Sequence, residues 1–474
     1  MRHLPKLSVP ARSSVENILT SIFVRLISFL TTPLFSRMLS PEDFGVFSLF
    51  QSLLAVLTVV VTLDLGAGVL FRGLQRFSDR RDAFLSVTLL FATVCSALLF
   101  LLCLPWILRR VSVPTSLLLY MQILGNLTVT VFSAGYRYTY KNLLPNLFSV
   151  LVAFLSPLLT VLLLKTTALG GTARVLGSVL ATTAVALPAF LLVFLRGRTL
   201  ADREMGRFLL RFQLPLFPHY LGLSLLAQGD KLILERVSGS GVLASYSVAY
   251  STALSLTFLS GGINLSLHPW ILRCMARGDH EKMRSTLETL LLLFGFTDLL
   301  FLCIAPEIFD FLVPPSYRDA LFILYPVSFS VLFLFYSSFC VAAELYLEKN
   351  RKIGLLTLSV SLLSLLSSAL LIPRYGSLAA GWITLFSYGL LALSHGVLLR
   401  IRSGVSLLPR MRVLFLLSCV ALGSSLLSLL TESLPFRILI FLCLLPLGIF
   451  LLAPLRRAVL EKTAAGDVTV QSGG

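Results

Sequence analysis

Apolar runs long enough to cross a lipid bilayer follow one another along almost the whole of this 474-residue chain. A membrane-spanning helix needs about 20 mainly apolar residues to cross about 30 Å of hydrocarbon. Each run must be helical, because the membrane interior holds no water to hydrogen-bond an exposed backbone. The predicted spans are 15–36, 44–66, 83–108, 114–135, 143–164, 173–195, 213–234, 242–270, 287–311, 320–346, 354–372, 376–399, 413–431 and 435–454. The sequence therefore predicts an all-α, polytopic membrane protein with about 14 transmembrane helices.

The composition excludes the other broad classes of protein. Hydrophobic residues make up 57% of the chain and charged residues only 13%, whereas a soluble domain is about 25% charged. The longest loop between predicted spans, 196–212, is short and basic. A membrane glycosyltransferase or polymerase would need a sizeable loop with catalytic residues, so we predict no enzymatic activity and assign no catalytic residue.

The net charge of +17 indicates membrane orientation. With the N-terminus in the cytoplasm, the inner loops hold about three times as many Lys and Arg residues as the outer loops, as the positive-inside rule requires. This bias predicts that both termini are cytoplasmic. The positive charge is thereby explained, and we expect no nucleic-acid partner.

The two halves of the chain resemble each other at an offset near 200 residues. Leu102 and Cys103 recur as Leu302 and Cys303, and Val113 and Pro114 recur as Val313 and Pro314. Six spans return the chain to the same side, so the repeat is parallel, and such repeats are typical of transporters with a substrate site at the repeat interface. The predicted domains are a six-helix bundle (1–195), a basic cytoplasmic linker (196–212), a second six-helix bundle (213–399) and two extra helices with a short tail (400–474).

The first span carries polar residues on one face and apolar residues on the other. At 100° per residue the polar side chains fall within an arc of about 140°. They are Asn17, Thr20, Ser21, Arg25, Ser28, Thr31 and Thr32. An arginine near mid-membrane costs at least about 2.5–3.5 kcal/mol unless its surroundings offset that cost. We interpret Arg25 as a substrate-facing cation, with snorkelling or a structural pair to Asp64 or Glu16 as the alternative.

Further candidates for substrate binding lie on later spans. Lys231 is a second intramembrane cation, unless it snorkels to the outer surface or pairs with a neighbouring acid. Arg72 and Arg273 occupy repeat-equivalent cytoplasmic ends, where they attract an anion or simply anchor their helices. Asn264 lies on a span rich in serine and threonine and is expected to contact substrate hydroxyls.

Acidic residues within the spans are candidates for coupling transport to protons or sodium. They are Asp64, Asp230, Asp298, Glu307 and Glu344, and each is alternatively half of an internal ion pair. The histidines show no helical metal-ligand spacing. We therefore expect neither a metal site nor a cofactor.

The outer loop after the first span has the signature of a helix start. Ser40 is a good N-cap and Pro41 suits the first turn. The surrounding stretch, PLFSRMLSPEDFGVFSL (33–49), resembles the polysaccharide-exporter family of bacterial flippases, within the multidrug/oligosaccharidyl-lipid/polysaccharide exporter (MOP) superfamily. Three later stretches also resemble that family, in its usual order: GDKLILERVSGSGVLASYSVAY (229–250), IAPEIFDFLVPPSYRDA (304–320) and AAELYLEKNRK (342–352).

The resemblance implies two six-helix bundles around a central cavity, alternating access, and a polyprenyl-diphosphate-linked oligosaccharide as cargo. It implies that Arg25 corresponds to the cavity arginine of such flippases. In the related lipid II flippases helices thirteen and fourteen form a groove for the lipid tail, and this chain has two matching extra spans. We therefore expect a monomer in the bacterial cytoplasmic (inner) membrane. Its expected partners are the lipid-linked oligosaccharide and membrane lipids, with a polysaccharide polymerase and glycosyltransferases as candidates.

Two alternatives within the same superfamily stay open. A cation-coupled drug or small-molecule antiporter usually places an acid within the first helix, whereas Glu16 stands at the very end of this one. A lipid II flippase carries more cations deep in its spans than this chain does. The sequence favours the polysaccharide-exporter branch over both.

Overall fold

A computed structural model describes residues 9–66, 68–347, 350–444 and 446, and every regular element in these ranges is a helix. The α-helices are α1 (Val9–Met38), α2 (Pro41–Thr62), α3 (Gly68–Arg76), α4 (Arg81–Ile107), α5 (Val113–Tyr138), α6 (Leu143–Thr166), α7 (Gly171–Gly197), α8 (Arg203–Gln213), α9 (Phe217–Ala253), α10 (Thr257–Arg277), α11 (His280–Leu312), α12 (Leu324–Leu345), α13 (Asn350–Ser403), α14 (Met411–Leu429) and α15 (Leu434–Leu444). Within the described ranges, ten helices are long and apolar enough to cross a membrane. The predicted polytopic all-α fold is confirmed.

The second to sixth predicted spans coincide with α2, α4, α5, α6 and α7 to within four residues. α1 begins at Val9, six residues before the predicted span 15–36, so Glu16 lies inside the helix and the prediction that it stands at the very end is wrong. The predicted spans 354–372 and 376–399 form the two halves of α13, which meet at Gly376. The φ of Gly376 is 59°, a left-handed value that glycine adopts at low cost because it has no Cβ. Two predicted spans are thus joined by a kink, without an intervening loop.

The seventh and eighth predicted spans differ more from the structure. α9 runs from Phe217 to Ala253 through a non-helical Gly239. The predicted span 242–270 is interrupted by a 3₁₀ turn at Leu254–Leu256, after which α10 begins. Hydropathy does not reveal this turn, because apolar residues continue through it and neither glycine nor proline marks it. The last predicted span, 435–454, extends beyond the described residues.

The chain forms two compact units, and neither is continuous in sequence. Unit 1 comprises Met1–Ser247, Leu312–Arg318 and Lys349–Ile383, and unit 2 comprises Val248–Phe311, Asp319–Glu348 and Thr384–Gly474. Contacts define these units, whereas sequence similarity defines the predicted domains. The predicted domain boundaries stay a prediction.

Each unit has its own aromatic core. In unit 1 the Phe84 ring of α4 stacks on Phe77 at 5.4 Å between centroids, and Phe208 of α8 meets Phe77 edge-on at 5.6 Å. In unit 2 Phe294 of α11 stacks on Phe335 of α12 at 4.5 Å. These stacks bury aromatic rings between neighbouring helices and keep those helices in contact.

Two helices of unit 1 are too short to cross a membrane. α3 buries Leu70 and Leu74 and exposes Arg72, and α8 buries Met205 and Leu209. The prediction that Arg72 ends the second transmembrane helix is wrong, since α2 ends at Thr62. A turn at residues 63–66 separates the two helices, and Leu63 and Asp64 have positive φ there.

Candidate functional site

The predicted substrate face lies on α1, which packs against α6 and α2 within unit 1. Ser21, Arg25 and Ser28 are exposed, and Asn17 and Thr32 are partly buried. Their spacing of three or four residues places them on one side of the helix. The structure therefore brings these five candidates together on a single surface.

Two hydroxyls on this face are already donors within the helix. Ser28 Oγ donates to the Val24 carbonyl at 3.1 Å, and Thr32 Oγ1 donates to the Ser28 carbonyl at 3.2 Å. Such back-bonding uses the hydroxyl proton and leaves oxygen lone pairs. The face thus offers acceptors at its hydroxyls and donors at the guanidinium.

The opposite side of α1 is exposed as well, but it is apolar. Ile22, Phe23, Leu26 and Leu30 are each between 49% and 58% exposed. An exposed apolar face suits lipid, whereas an arginine-bearing face does not. α1 therefore presents two exposed surfaces of opposite polarity.

Lys231 lies in a buried polar network between α2 and α9 of unit 1. It is only 7% exposed, and its Nζ donates to Gln228 Oε1 at 3.2 Å. The same oxygen accepts from the Ser52 hydroxyl at 3.1 Å. Asp230 accepts from the backbone N–H of Lys231 at 2.8 Å and from the Tyr246 hydroxyl. Lys231 therefore does not snorkel to the surface, and it shares one network with Asp230.

Two candidate acids in unit 2 also make buried contacts between helices. Asp298 of α11 is 2% exposed and accepts from the Ser328 hydroxyl of α12. Glu344 of α12 and His395 of α13 are fully buried, with Oε2 and Nδ1 3.1 Å apart. These contacts suit a structural role, and both acids stay candidates for ion coupling.

The remaining candidates lie apart from these networks. Asp64 is partly buried in the turn after α2. Asn264 Nδ2 on α10 donates to Ser338 Oγ at 3.4 Å, and Arg273 is exposed near the end of the same helix. Arg72 is exposed on α3. The exposed positions of Arg72 and Arg273 fit both predicted readings, an anion-attracting end and an anchor.

Sequence reasoning did not find a buried arginine in unit 2. Arg437 is 3% exposed and binds Glu307 through two bonds, Nη1–Oε2 at 2.6 Å and Nη2–Oε1 at 2.5 Å. Its Nη1 also donates to the Cys303 carbonyl at 2.9 Å. The paired residues are 130 positions apart, and nothing in the composition of either segment links them. Only the fold reveals this bidentate pair.

The stretch 33–49, which carries part of the family resemblance, packs against the first turn of α7 within unit 1. The guanidinium carbon of Arg174, in the first turn of α7, lies 4.6, 4.4 and 4.1 Å from the ring centroids of Phe35, Phe44 and Phe47. A cation close to aromatic faces is attracted by their quadrupoles, most strongly where water is excluded. Three rings from this stretch therefore hold one arginine of a distant helix.

Polar and small residues of the same stretch make further packing contacts within unit 1. Ser40 Oγ accepts from the Asp43 N–H at 3.1 Å, which caps α2, and Asp43 Oδ1 accepts from the Gly171 N–H at 2.7 Å at the start of α7. Gly45 lies against the Ser240 backbone, where a Cβ would overlap the carbonyl. Packing thus accounts for this stretch without a ligand.

Among the described residues, no group of three or more His, Cys, Asp or Glu side chains could hold a metal ion. The described residues instead offer polar groups for binding, among them the guanidinium and hydroxyls of α1. The chemistry available at this face is hydrogen bonding and charge pairing.

Comparison with known families gives one match that covers more than half of the chain. The family model described as "Polysaccharide biosynthesis protein" matches residues 11–275. No curated protein sequence matches the chain. The family match covers α1 through most of α10 and therefore includes the polar face of α1 and the Lys231 network.

Solved structures of membrane transporters share the fold. The lipid II flippase MurJ in an inward closed conformation has a TM-score of 0.65 and 13% identity, covering 93% of this chain and 99% of its own. An inward-facing MATE-family multidrug resistance transporter of the MOP superfamily has a TM-score of 0.63 and 15% identity, covering 83% and 95%. A MOP-superfamily transporter from Pyrococcus furiosus, described as having a binding pocket of reverse polarity, has a TM-score of 0.57 and 16% identity, covering 83% and 95%. At these identities the likeness shows the fold alone.

Proposed function

Because the chain belongs to the polysaccharide biosynthesis protein family and has the fold of MOP-superfamily membrane transporters, we propose that it is a flippase for a polyprenyl-diphosphate-linked oligosaccharide. It moves this repeat unit of a surface polysaccharide from the cytoplasmic to the outer leaflet by alternating access. The observation that carries the proposal is the exposed, arginine-bearing polar face of α1, on a helix whose other side is apolar.

The physical problem of flipping such a lipid is its head group. An isolated charge placed in hydrocarbon costs of order 20 kcal/mol or more by Born solvation, and unpaired hydroxyls add to this cost. A path lined by a cation and hydroxyls replaces the lost water. Arg25 would hold the diphosphate through charge-assisted hydrogen bonds. Ser21, Ser28, Asn17 and Thr32 would meet the sugar hydroxyls.

The setting of this activity follows from the orientation predicted above. We place the protein as a monomer in the bacterial cytoplasmic membrane with both termini in the cytoplasm. Glycosyltransferases that build the repeat unit and a polymerase that consumes it are the proposed functional partners. The protein itself makes and breaks no covalent bond in this scheme.

The test is a complementation assay in cells depleted of the protein. Arg25→Ala is expected to abolish export and to leave lipid-linked oligosaccharide on the inner leaflet, because the diphosphate loses its cationic partner. Arg37→Ala is the matched control. Arg37 is an exposed arginine on the same helix whose Nη1 bonds the Pro33 carbonyl at 3.0 Å. Normal export by Arg25→Ala at normal membrane abundance would remove Arg25 from the mechanism.

Two other transport functions are candidates for a protein with this fold. The buried carboxylates Asp230, Asp298 and Glu344 favour cation coupling, as in a drug or small-molecule antiporter. Dye efflux from proteoliposomes driven by a sodium or proton gradient would support that function. Transport of lipid II, but not of other diphosphate-linked sugars, would instead support a lipid II flippase.

A further inference from the structure

A row of three arginines lies along one side of α8 in unit 1. Arg203, Arg207 and Arg211 are spaced four residues apart and are all exposed, while Met205 and Leu209 on the other side are fully buried. At about 1.5 Å rise per residue, the row extends over about 12 Å. α8 is thus an amphipathic helix with a concentrated positive edge.

The arginine row borders an apolar groove with a volume of about 1250 Å³. Its walls come from α4, the segment before α8, the start of α9 and α13 of the same unit. They include Val87, Leu90, Phe91, Val94, Leu200, Leu210, Leu214, Pro215, Pro218 and Leu355. The volume exceeds the range of about 300–1,000 Å³ that is usual for small-molecule pockets.

The groove is open along its apolar side. Val94 is 51% exposed, Leu355 50%, Leu214 58% and Leu200 65%. Exposed leucines beside a membrane helix are expected to contact acyl chains, not water. None of the residues assigned to cargo binding lines this groove, so it is separate from the face of α1.

The charge at the groove is strongly positive. The one acid among its lining residues is Asp202. That carboxylate already accepts from the Glu204 and Met205 N–H groups at 2.9 and 3.1 Å and pairs with Arg80 at 3.2 Å. The three guanidinium groups of the α8 row therefore face the groove without an opposing carboxylate on its lining. Arginine forks match phosphate oxygens in bidentate pairs.

We propose that this groove binds an anionic phospholipid of the cytoplasmic leaflet, with its phosphate on the arginine row of α8 and its acyl chains along α4 and α13. A basic edge beside an apolar, lipid-facing groove is complementary to a lipid that carries both features. The predicted orientation places the segment 196–212 on the cytoplasmic side. The binding needs no cargo, so it does not rest on the proposed transport function.

The first test measures phospholipid binding to the purified full-length protein. Labelled phosphatidylglycerol is titrated against the wild type and against a variant with Arg203→Gln, Arg207→Gln and Arg211→Gln. At about a few-fold per arginine near a membrane surface, the triple variant should bind about 100-fold more weakly. Phosphatidylethanolamine, which has no net charge, should bind weakly to both proteins.

A matched control removes the same charge elsewhere. Arg277→Gln, Lys282→Gln and Arg400→Gln change three exposed cations that do not line the groove, and this variant should bind phosphatidylglycerol like the wild type. Equal losses in the two triple variants would reduce the effect to non-specific charge and overturn the proposal.

The second test blocks the groove without changing charge. Gly206 lines the groove, and the nearest atom to an added Cβ is in the Phe91 ring at 4.0 Å. Gly206→Leu should therefore project into the groove and weaken phosphatidylglycerol binding at least tenfold, with little change in thermal stability. A photoactivatable phosphatidylglycerol should crosslink to α4, α8 or α13 in the wild type only. Unchanged binding by Gly206→Leu, or competition by polyprenyl diphosphate alone, would overturn the phospholipid assignment.

Discussion

Two arginines on membrane helices of unit 1 have opposite surroundings. Arg174 of α7 is surrounded by the rings of Phe35, Phe44 and Phe47, whereas Arg25 of α1 is exposed. The cost of an arginine in a membrane protein can be offset by protein groups or by water and ligands. Only an exposed guanidinium can meet a ligand that comes from outside the protein, so residue type alone does not distinguish a binding cation from a structural one.

The largest effect is expected at Arg25, where a substitution should stop export without lowering stability. Arg25→Ala should abolish export while changing the free energy of unfolding in detergent by less than about 0.5 kcal/mol, because the side chain is not part of a packed core. The measurements are complementation and denaturant unfolding of the purified variant. A loss of several kcal/mol in stability would show that Arg25 is structural, and the comparison with Arg174 would fail.

Gly45 tests whether the stretch around Arg174 acts through packing. A Cβ at Gly45 would overlap the Ser240 backbone, so Gly45→Ala should destabilise unit 1 by about 1–3 kcal/mol, the usual cost of overpacking. Gly389→Ala is the control, since the nearest atom to its added Cβ is 3.6 Å away. The midpoint of urea unfolding measures both. An unchanged midpoint for Gly45→Ala would mean that this contact yields easily.

Sequence reasoning predicted the spans well where one long apolar run forms one helix. α4, α5, α6 and α7 follow directly from length and hydropathy, because the bilayer thickness sets both. It missed the 3₁₀ turn at Leu254–Leu256, since that turn changes the hydrogen-bonding partner and not the polarity of the chain.

For the candidate site too, sequence reasoning predicted the local features and missed the contacts between distant residues. The polar face of α1 follows from helical periodicity, which is a local property of the sequence. The contact of Glu344 with His395 joins residues 51 positions apart, and the three rings that surround Arg174 come from another part of the chain. Such contacts depend on tertiary packing, which periodicity does not encode.

A smaller effect is expected at Arg174. Arg174→Ala removes the cation from three rings and should lower the free energy of unfolding by about 1–2 kcal/mol, while export at permissive temperature is retained. Arg174→Lys keeps the cation and should lose less. Loss of export by Arg174→Ala at normal stability would contradict the distinction between the ring-enclosed Arg174 and the exposed Arg25.

The smallest effect is expected at Asp202, a charged residue whose contacts indicate a helix-capping role. Asp202 lies in the loop before α8, and the N–H groups of Met205 and Glu204, together with Arg80, hold the pKa of its carboxyl below the ordinary value. A lowered pKa in the folded state means that the stabilisation is present above the unfolded pKa of about 4 and is lost as the pH falls through the folded value. In the wild type, amide exchange protection in the first turn of α8, corrected for intrinsic rates, should therefore be lower at pH 3 than at pH 6. Asp202→Asn keeps an N-cap acceptor but cannot ionise, so it should show a weaker pH dependence with normal export. If Asp202→Asn abolished export instead, this charge would belong with Arg25 and not with the structural groups.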